Sequence, residues 1–185
     1  MGRHDDQPGG SVFHHQSAPD VSQLPTGAYL VRRKLGSIEG YLVYDDTDTQ
    51  VYRFKGHLAF PGQRWSMVNG AGTDVASMVR PPLHVHPMFT LSRPGRADVV
   101  IRKSNFSLIR ESWRVEGAED GDIDLQGDVL NHEFTFEKNG QAVGTTTRRW
   151  ISVTDAYAIQ VAGMDPVLAI ATSVGIDSIE QERDR

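Results

Sequence analysis

Near its C-terminal end the chain reads DPVLAIATSVGI at residues 165–176, and the predicted architecture depends on this segment. Asp165 followed by Pro166 is a typical helix opening, with the aspartate as N-cap and the proline at the first helical position. The apolar residues that follow cover every side of such a helix. Because a helix that is apolar all round must be buried, we predict a helix over about residues 166–179 in the middle of the fold. The acidic chain beyond Asp177 is expected to emerge into solvent.

The rest of the chain alternates apolar and polar residues between turn residues, which is typical of half-buried β-strands. Five hairpins follow from this alternation: 41–44 with 51–55, 65–68 with 75–79, 89–91 with 99–102, 113–115 with 123–126, and 133–136 with 142–146. Counting every such segment gives about twelve strands. A sheet of that size is expected to close, because twist accumulates and open edges invite aggregation. The sequence therefore predicts a mostly β protein, a closed antiparallel barrel around the buried helix.

The composition fits one folded domain without disulfide bonds. The chain has 185 residues and no cysteine, so it can build one core but neither a disulfide framework nor a thiolate metal site. Its net charge is −5, whereas a nucleic-acid-binding surface needs a clear basic excess. We therefore expect no nucleic-acid partner. Because nothing points to an oxidising compartment, we also expect a cytoplasmic location.

Two segments bear on targeting and membrane insertion. Residues 1–25 contain no apolar run, which predicts a disordered leader instead of a signal peptide and leaves residues 26–182 as the folded domain. The longest apolar stretch, at residues 167–176, is much shorter than the roughly 20 residues of a membrane-spanning helix. We expect no transmembrane segment.

Basic pairs recur at the ends of predicted strands. They are the candidate ligand-binding residues of this chain: Arg32 and Arg33, Arg102 and Lys103, Arg148 and Arg149. Since neighbours on a strand face opposite sides, one member of each pair is expected to point outward and the other inward or along the rim. Closure of the barrel could bring several pairs to one rim, where arginine forks suit a phosphate group. The alternative is that they are solvated strand ends that guard against aggregation.

A few other motifs contain residue types that occur in catalytic or metal sites. His84 and His86 are alternate residues that could chelate one metal ion on a strand, but prolines at 81, 82 and 87 favour an irregular loop with a surface histidine pair. His132 and Glu133 are sequence neighbours that face apart on a strand, which favours a packing role. No nucleophile elbow and no phosphate-binding loop are present. We predict no catalytic residues, no metal and no cofactor.

Several motifs together resemble one known family. They are NHEFTF at 131–136 with Asn139-Gly140, the run RRWISVTDAYAI at 148–159, VRRKL at 31–35, and IRK at 101–103. Together these motifs resemble the LURP-one-related family, and the resemblance spans roughly residues 26–182. That family is similar to the Tubby C-terminal domain and to phospholipid scramblases. The resemblance implies a twelve-stranded barrel around a hydrophobic C-terminal helix, no established enzymatic activity, and binding to membrane lipids.

Three functional hypotheses remain open at this point. The first is a non-enzymatic binding module for an anionic ligand such as a phospholipid headgroup, peripheral at the membrane surface, with the six basic residues as its site. The second is a scaffold whose leader and acidic tail contact a protein partner. The third is a metal-dependent enzyme that uses His84 and His86.

Overall fold

The protein is described by a computed structural model over residues 21–34, 39–58, 62–82, 86–104, 112–129, 131–149, 151 and 155–183. The strands are β1 Ala28–Arg33, β2 Glu39–Tyr44, β3 Gln50–Leu58, β4 Gln63–Asn69, β5 Asp74–Arg80, β6 Met88–Ser92, β7 Val99–Ser104, β8 Ser112–Glu116, β9 Ile123–Asp128, β10 Glu133–Lys138, β11 Gln141–Thr147 and β12 Ala156–Val161. The helix α1 is Pro166–Arg183, and Val21–Gln23 form one turn of 3₁₀ helix before β1.

The twelve strands form a closed antiparallel barrel in which each strand pairs with its neighbours in the sequence. β12 closes the ring on β1, with Leu30 opposite Ala158 and Val31 opposite Tyr157. All five predicted hairpins are present, as β2–β3, β4–β5, β6–β7, β8–β9 and β10–β11. The prediction of a closed barrel is confirmed, and closure satisfies the strand edges that would otherwise be open.

Helix α1 fills the barrel. Apolar residues on all of its sides are at most 3% exposed: Leu168, Ala169, Ile170, Ala171, Val174, Ile176 and Ile179. They belong to the same core cluster as inward residues of the strands, including Phe54, Trp113 and Phe136. Because a helix inside a ring has wall on every side, its apolar surface needs no polar face. The predicted buried helix is thereby confirmed.

The direction of the strands gives the barrel two different ends. Consecutive strands are antiparallel, so the odd-numbered strands all end at one rim, and β12 returns the chain to the opposite rim. There Asp165 contacts Arg93 in the β6–β7 connection, 2.6 Å apart, and α1 begins. Near the other rim Lys103, at the end of β7, contacts Glu180 in the last turns of α1. We call these ends the start rim and the end rim, after the beginning and end of α1.

Two predictions about the ends of the domain need correction. The helix continues to Arg183, past the predicted end at residue 179, and Asp177 and Glu180 are each only 8% exposed instead of emerging into solvent. They stay buried because basic and polar side chains at the end rim pair with them, as shown below. Of the predicted leader at 1–25, the first twenty residues lie outside the described ranges, and the next three form the 3₁₀ turn.

Candidate functional site

The end rim contains a buried polar cluster around Asp177. His132 Nε2 lies 3.3 Å from Asp177 Oδ1, and the Gln181 amide donates a hydrogen bond of 2.7 Å to Asp177 Oδ2. Gln181 also donates to the Tyr41 hydroxyl at 3.1 Å, and the His132 ring stacks on Tyr157 with centroids 4.2 Å apart. We call these five residues, from β2, β12, α1 and the residue before β10, the Asp177 cluster.

Electrostatics fix the protonation state of this cluster. Burial alone would raise the pKa of Asp177, but the hydrogen bond and charge of His132, with help from Tyr41 and Gln181, lower that pKa below its usual value. Burial and the nearby Asp177 carboxylate raise the pKa of both Tyr41 and Tyr157 well above the usual value. At neutral pH the cluster therefore holds one buried carboxylate between two protonated phenols.

Two basic residues of the end rim, Arg33 and Lys103, lie close to buried polar groups at the end of α1. Arg33 opposes the raised pKa of Tyr41 and Tyr157 through its charge, and its Nε atom is buried, so its side chain reaches the inside of the barrel. Lys103 Nζ lies 3.7 Å from Glu180 Oε1, with the two side chains 16% and 10% exposed. Of the predicted ligand-binding residues, Lys103 thus lies beside a buried carboxylate of the helix and Arg33 near two phenols of the Asp177 cluster.

The three predicted basic pairs lie at the same rim but do not form a single patch. They follow or end β1, β7 and β11, which all run in the same direction. Only β12 stands between β1 and β11, so the ends of these two strands are about 10 Å apart. The first and third basic pairs lie at these ends. β7 is six positions from β1 around the ring in either direction, so Arg102 and Lys103 are on the opposite wall. The rim carries two basic groups across the helix end.

The outward members of two pairs make surface ion pairs. Arg102 is 55% exposed and donates to Glu116 Oε1 on β8 through Nε at 2.9 Å, while its neighbour Lys103 points inward. This opposite orientation is what strand alternation requires. Arg149 is 83% exposed, and its Nε lies 3.7 Å from Glu133 Oε2. Both arginines therefore present charge to solvent at the end rim.

Glu133 holds the end of β11 in place. Its carboxylate accepts a hydrogen bond of 2.8 Å from the Thr147 hydroxyl and another of 2.8 Å from the backbone N–H of Arg148. His132, the preceding residue, has a φ of 54° and faces the inside instead. His132 therefore faces the inside of the barrel and Glu133 the outside. Glu133 positions Arg148 and Arg149 at the rim.

The start rim carries charged side chains that pair with one another around Asp165. Asp165 Oδ2 accepts from Arg93 at 2.6 Å and from Arg96 at 2.9 Å, and Asp165 Oδ1 caps α1 by accepting from the N–H of Val167 at 2.8 Å. A shallow cleft beside this clamp is lined by three basic and three acidic side chains. Its lining therefore favours neither anions nor cations.

The proposed metal pair cannot be placed as a pair. His84 lies outside the described residues, and His86 is exposed. Within the described ranges no three histidine, aspartate or glutamate side chains are grouped in a way that could hold a metal ion. None of the helices described combines the length and hydropathy needed to cross a membrane.

Sequence reasoning did not find the Asp177 cluster. Its members come from positions far apart in the chain, and a charged residue near a helix end normally lies in water. One local signal was present: Asp177 and Gln181 are four residues apart and so share a helix face. Asp177 and Gln181 directly follow the apolar part of the helix. They can be buried there only if polar partners come from other parts of the chain.

Comparison with known proteins supplies the family. A family model described as LURP-one-related matches residues 28–177, from the first residue of β1 into α1. The uncharacterized protein YxjI of Bacillus subtilis (strain 168) is 20% identical over 144 residues, which cover 75% of this chain and 82% of that protein. The X-ray structure of a protein from Arabidopsis thaliana matches with a TM-score of 0.58 at 12% identity, covers 87% of this chain and 96% of that one, and supports the fold. Because the family match takes in every strand of the barrel, the chain belongs to the LURP-one-related family.

Proposed function

We propose that this barrel is a non-enzymatic binding module that recognises the anionic headgroup of a phospholipid at its end rim. The observation that carries the proposal is the common direction of β1, β7 and β11, since it puts all three basic pairs at one end of the molecule. A guanidinium fork matches phosphate geometry, and anionic membranes attract basic surfaces. The site comprises Arg32, Arg33, Arg102, Lys103, Arg148 and Arg149.

The six residues divide into contact and support roles. Arg102 and Arg149 are the most exposed of the six, with side chains 55% and 83% exposed, and make the first contact with the headgroup region. Lys103 and Arg33 lie deeper, Lys103 beside Glu180 and Arg33 near Tyr41 and Tyr157. Arg32 and Arg148 stand beside Arg33 and Arg149 on the β1–β11 side. The surface ion pairs of Arg102 and Arg149 are weak enough to be exchanged for phosphate contacts.

Sedimentation with vesicles tests the proposal. We expect the protein to bind vesicles that contain phosphatidylserine and not vesicles of phosphatidylcholine alone, and binding should weaken as salt rises. Each basic residue near an anionic surface is worth about 1 kcal/mol, so Arg149→Glu and Arg102→Glu should each lower the affinity about fivefold or more. The matched control is Lys138→Glu, the same charge change at the end of β10 on the start rim.

Three outcomes would overturn the proposal. One is the absence of binding to anionic vesicles at low salt. Another is salt-independent binding, because the attraction would then not depend on charge. The third is an equal loss of affinity in Lys138→Glu, because the net charge of the protein, and not its end rim, would then determine binding. Competition by free inorganic phosphate distinguishes a site for the phosphate group alone from one that requires a membrane surface.

A further inference from the structure

The charged residues of the barrel are divided unequally between two opposite walls. Residues 50–92, which form β3–β6 and their connections, contain four lysines and arginines and one acidic residue, a formal charge of +3. Residues 112–138, which form β8–β10 and their connections, contain two lysines and arginines and eight acidic residues, a formal charge of −6. Around the ring β3 stands six positions from β9, and β4 six positions from β10. We call the two sides the basic wall and the acidic wall.

A group of basic side chains lies on the outer face of the basic wall, beside the end rim. Phe54 on β3 and Met67 on β4 are cross-strand partners that face the core, each 0% exposed. The side chains one and three residues further toward the end rim on these strands therefore face outward. They are Lys55 and His57 on β3 and Ser66 and Arg64 on β4.

The contacts of this group agree with its position outside the barrel. His57 Nε2 lies 3.1 Å from Ser66 Oγ, and His57 and Arg64 are exposed and directly opposite each other. In the register Lys55 has Glu39 of β2 opposite it, whereas Arg64 has only His57 and Val79 opposite. Arg64 is therefore an exposed cation with no carboxylate across either neighbouring strand.

Segregation of charge lets a protein of net charge −5 approach an anionic surface. Twelve strands spaced about 4.8 Å apart form a ring at least roughly 18 Å across. The Debye length at physiological ionic strength is about 8 Å, so a surface touching one wall is largely screened from charges on the opposite wall. A membrane at the basic wall therefore experiences attraction without the repulsion that the net charge alone would predict.

We propose that the barrel docks on an anionic membrane tilted toward its basic wall, with Lys55, His57 and Arg64 as further contacts and the acidic wall turned toward solvent. The inference rests on the proposed function and adds the orientation of the bound protein. An upright barrel would bring Asp128 and Glu133, where β9 ends and β10 begins, as close to the membrane as the basic residues. Tilting moves these carboxylates away and keeps β7, which borders the basic wall, in contact.

Site-specific fluorescent labels test the tilt. The chain contains no cysteine, so one introduced cysteine places an environment-sensitive fluorophore at a chosen residue. Ser66→Cys on β4 and Thr135→Cys on β10 are a matched pair, since both residues are partly exposed, face outward and lie within three residues of the start of their strands at the end rim. With phosphatidylserine vesicles we expect a blue shift of the emission at residue 66 and none at residue 135. Equal shifts, or a larger one at residue 135, would disprove the tilt.

Charge reversal tests the contact itself. Arg64→Glu should lower the affinity for phosphatidylserine vesicles about fivefold or more, as expected for a basic residue near an anionic surface. Lys138→Glu makes the same change of charge on the acidic wall and should lower the affinity much less. Should Arg64→Glu not fold, Arg64→Gln should give a smaller loss in the same direction, and no loss in that variant would disprove the contact.

The outcomes separate this inference from the proposed function. If the unaltered protein binds anionic vesicles and Arg64→Glu binds as well as Lys138→Glu, the tilt is disproved and the binding module stands. If Arg64→Glu weakens binding while Arg102→Glu and Arg149→Glu do not, the basic wall is the contact surface and the site of basic pairs at the rim is disproved. If the unaltered protein does not bind anionic vesicles at low salt, both proposals fail.

Discussion

Phe89 on β6 lies directly over Gly175 of α1, with no room for a side chain between them. A Cβ atom at residue 175 would stand 2.6 Å from Cε2 and 2.7 Å from Cε1 of the Phe89 ring. Phe89 is 2% exposed, so its ring has little space to withdraw into. At this contact the wall of the barrel and its central helix approach each other closely. Glycine is required at residue 175 because there is no space for a Cβ atom, and not because of the backbone conformation.

We therefore expect Gly175→Ala to lower the free energy of unfolding by about 1–3 kcal/mol, the usual cost of overpacking a core. In an ordinary helix the same change is favourable by about 1 kcal/mol, so the sign of the effect is informative. Urea unfolding measures it. In a Phe89→Leu background, where the ring is absent, the loss should shrink or reverse. An increase in stability in the unaltered background would contradict the contact.

The aspartate at the start of α1 combines capping with charge pairing, and the two can be separated. Arg93 is only 6% exposed, so Asp165→Ala leaves a buried guanidinium without its carboxylate, and we expect a loss of about 3 kcal/mol. Asp165→Asn retains a good cap and should lose less. Arg96→Ala removes the partner that is 42% exposed and should cost under about 1 kcal/mol. Equal losses in Asp165→Ala and Arg96→Ala would contradict the buried clamp.

Asp177 makes stability depend on pH in the acid range. Its pKa in the folded protein is below the ordinary value of 3.8, so its contribution is complete above about pH 4 and is lost as the pH falls through the folded-state pKa. We expect Asp177→Asn to be less stable than the unaltered protein at pH 7 and the difference to narrow below pH 4. The control is Asp98→Asn, which removes one negative charge at an exposed residue of the β6–β7 connection. A difference that stays constant from pH 7 to pH 3 would disprove this role.

The outer ion pair of Arg102 and Glu116 should matter little for stability. Their side chains are 55% and 32% exposed, and an exposed pair typically contributes under about 1 kcal/mol. A double-mutant cycle with Arg102→Ala and Glu116→Ala, followed by thermal or urea unfolding, should give a coupling energy within that limit. A larger coupling energy would mean that Arg102 stabilises the fold. Weaker vesicle binding by an Arg102 variant would then report a loss of folded protein.

The architecture could be predicted because its signals are local. Alternation of side chains identified the hairpins, and Asp165 with Pro166 placed the start of α1 correctly. The end of α1 could not be predicted in this way. Burial of Asp177 and Glu180 depends on His132 and Lys103, which precede them by many residues and meet them only after the barrel has closed.

The arrangement of the basic pairs was predicted only in part. Strand alternation predicted that one member of each pair points outward and the other inward or along the rim, and in the second pair Arg102 is outside and Lys103 inside. Whether the pairs gather in one patch depends on their positions around the ring, and a strand count of about twelve does not give these without the order of pairing. With the order known, β1 and β11 are near neighbours while β7 stands opposite β1. Direct binding to an anionic ligand stays a proposal.

Every strand of the barrel precedes α1 in the chain. A ribosome therefore synthesises the complete wall before the segment that fills it, and the inner faces of the strands have no partner during that interval. Exposed apolar faces on a nascent chain are prone to misassembly and attract chaperones. The barrel can therefore fold completely only after α1 has been synthesised. We expect variants that weaken α1 to reduce the yield of protein in cells more than their equilibrium stability alone suggests.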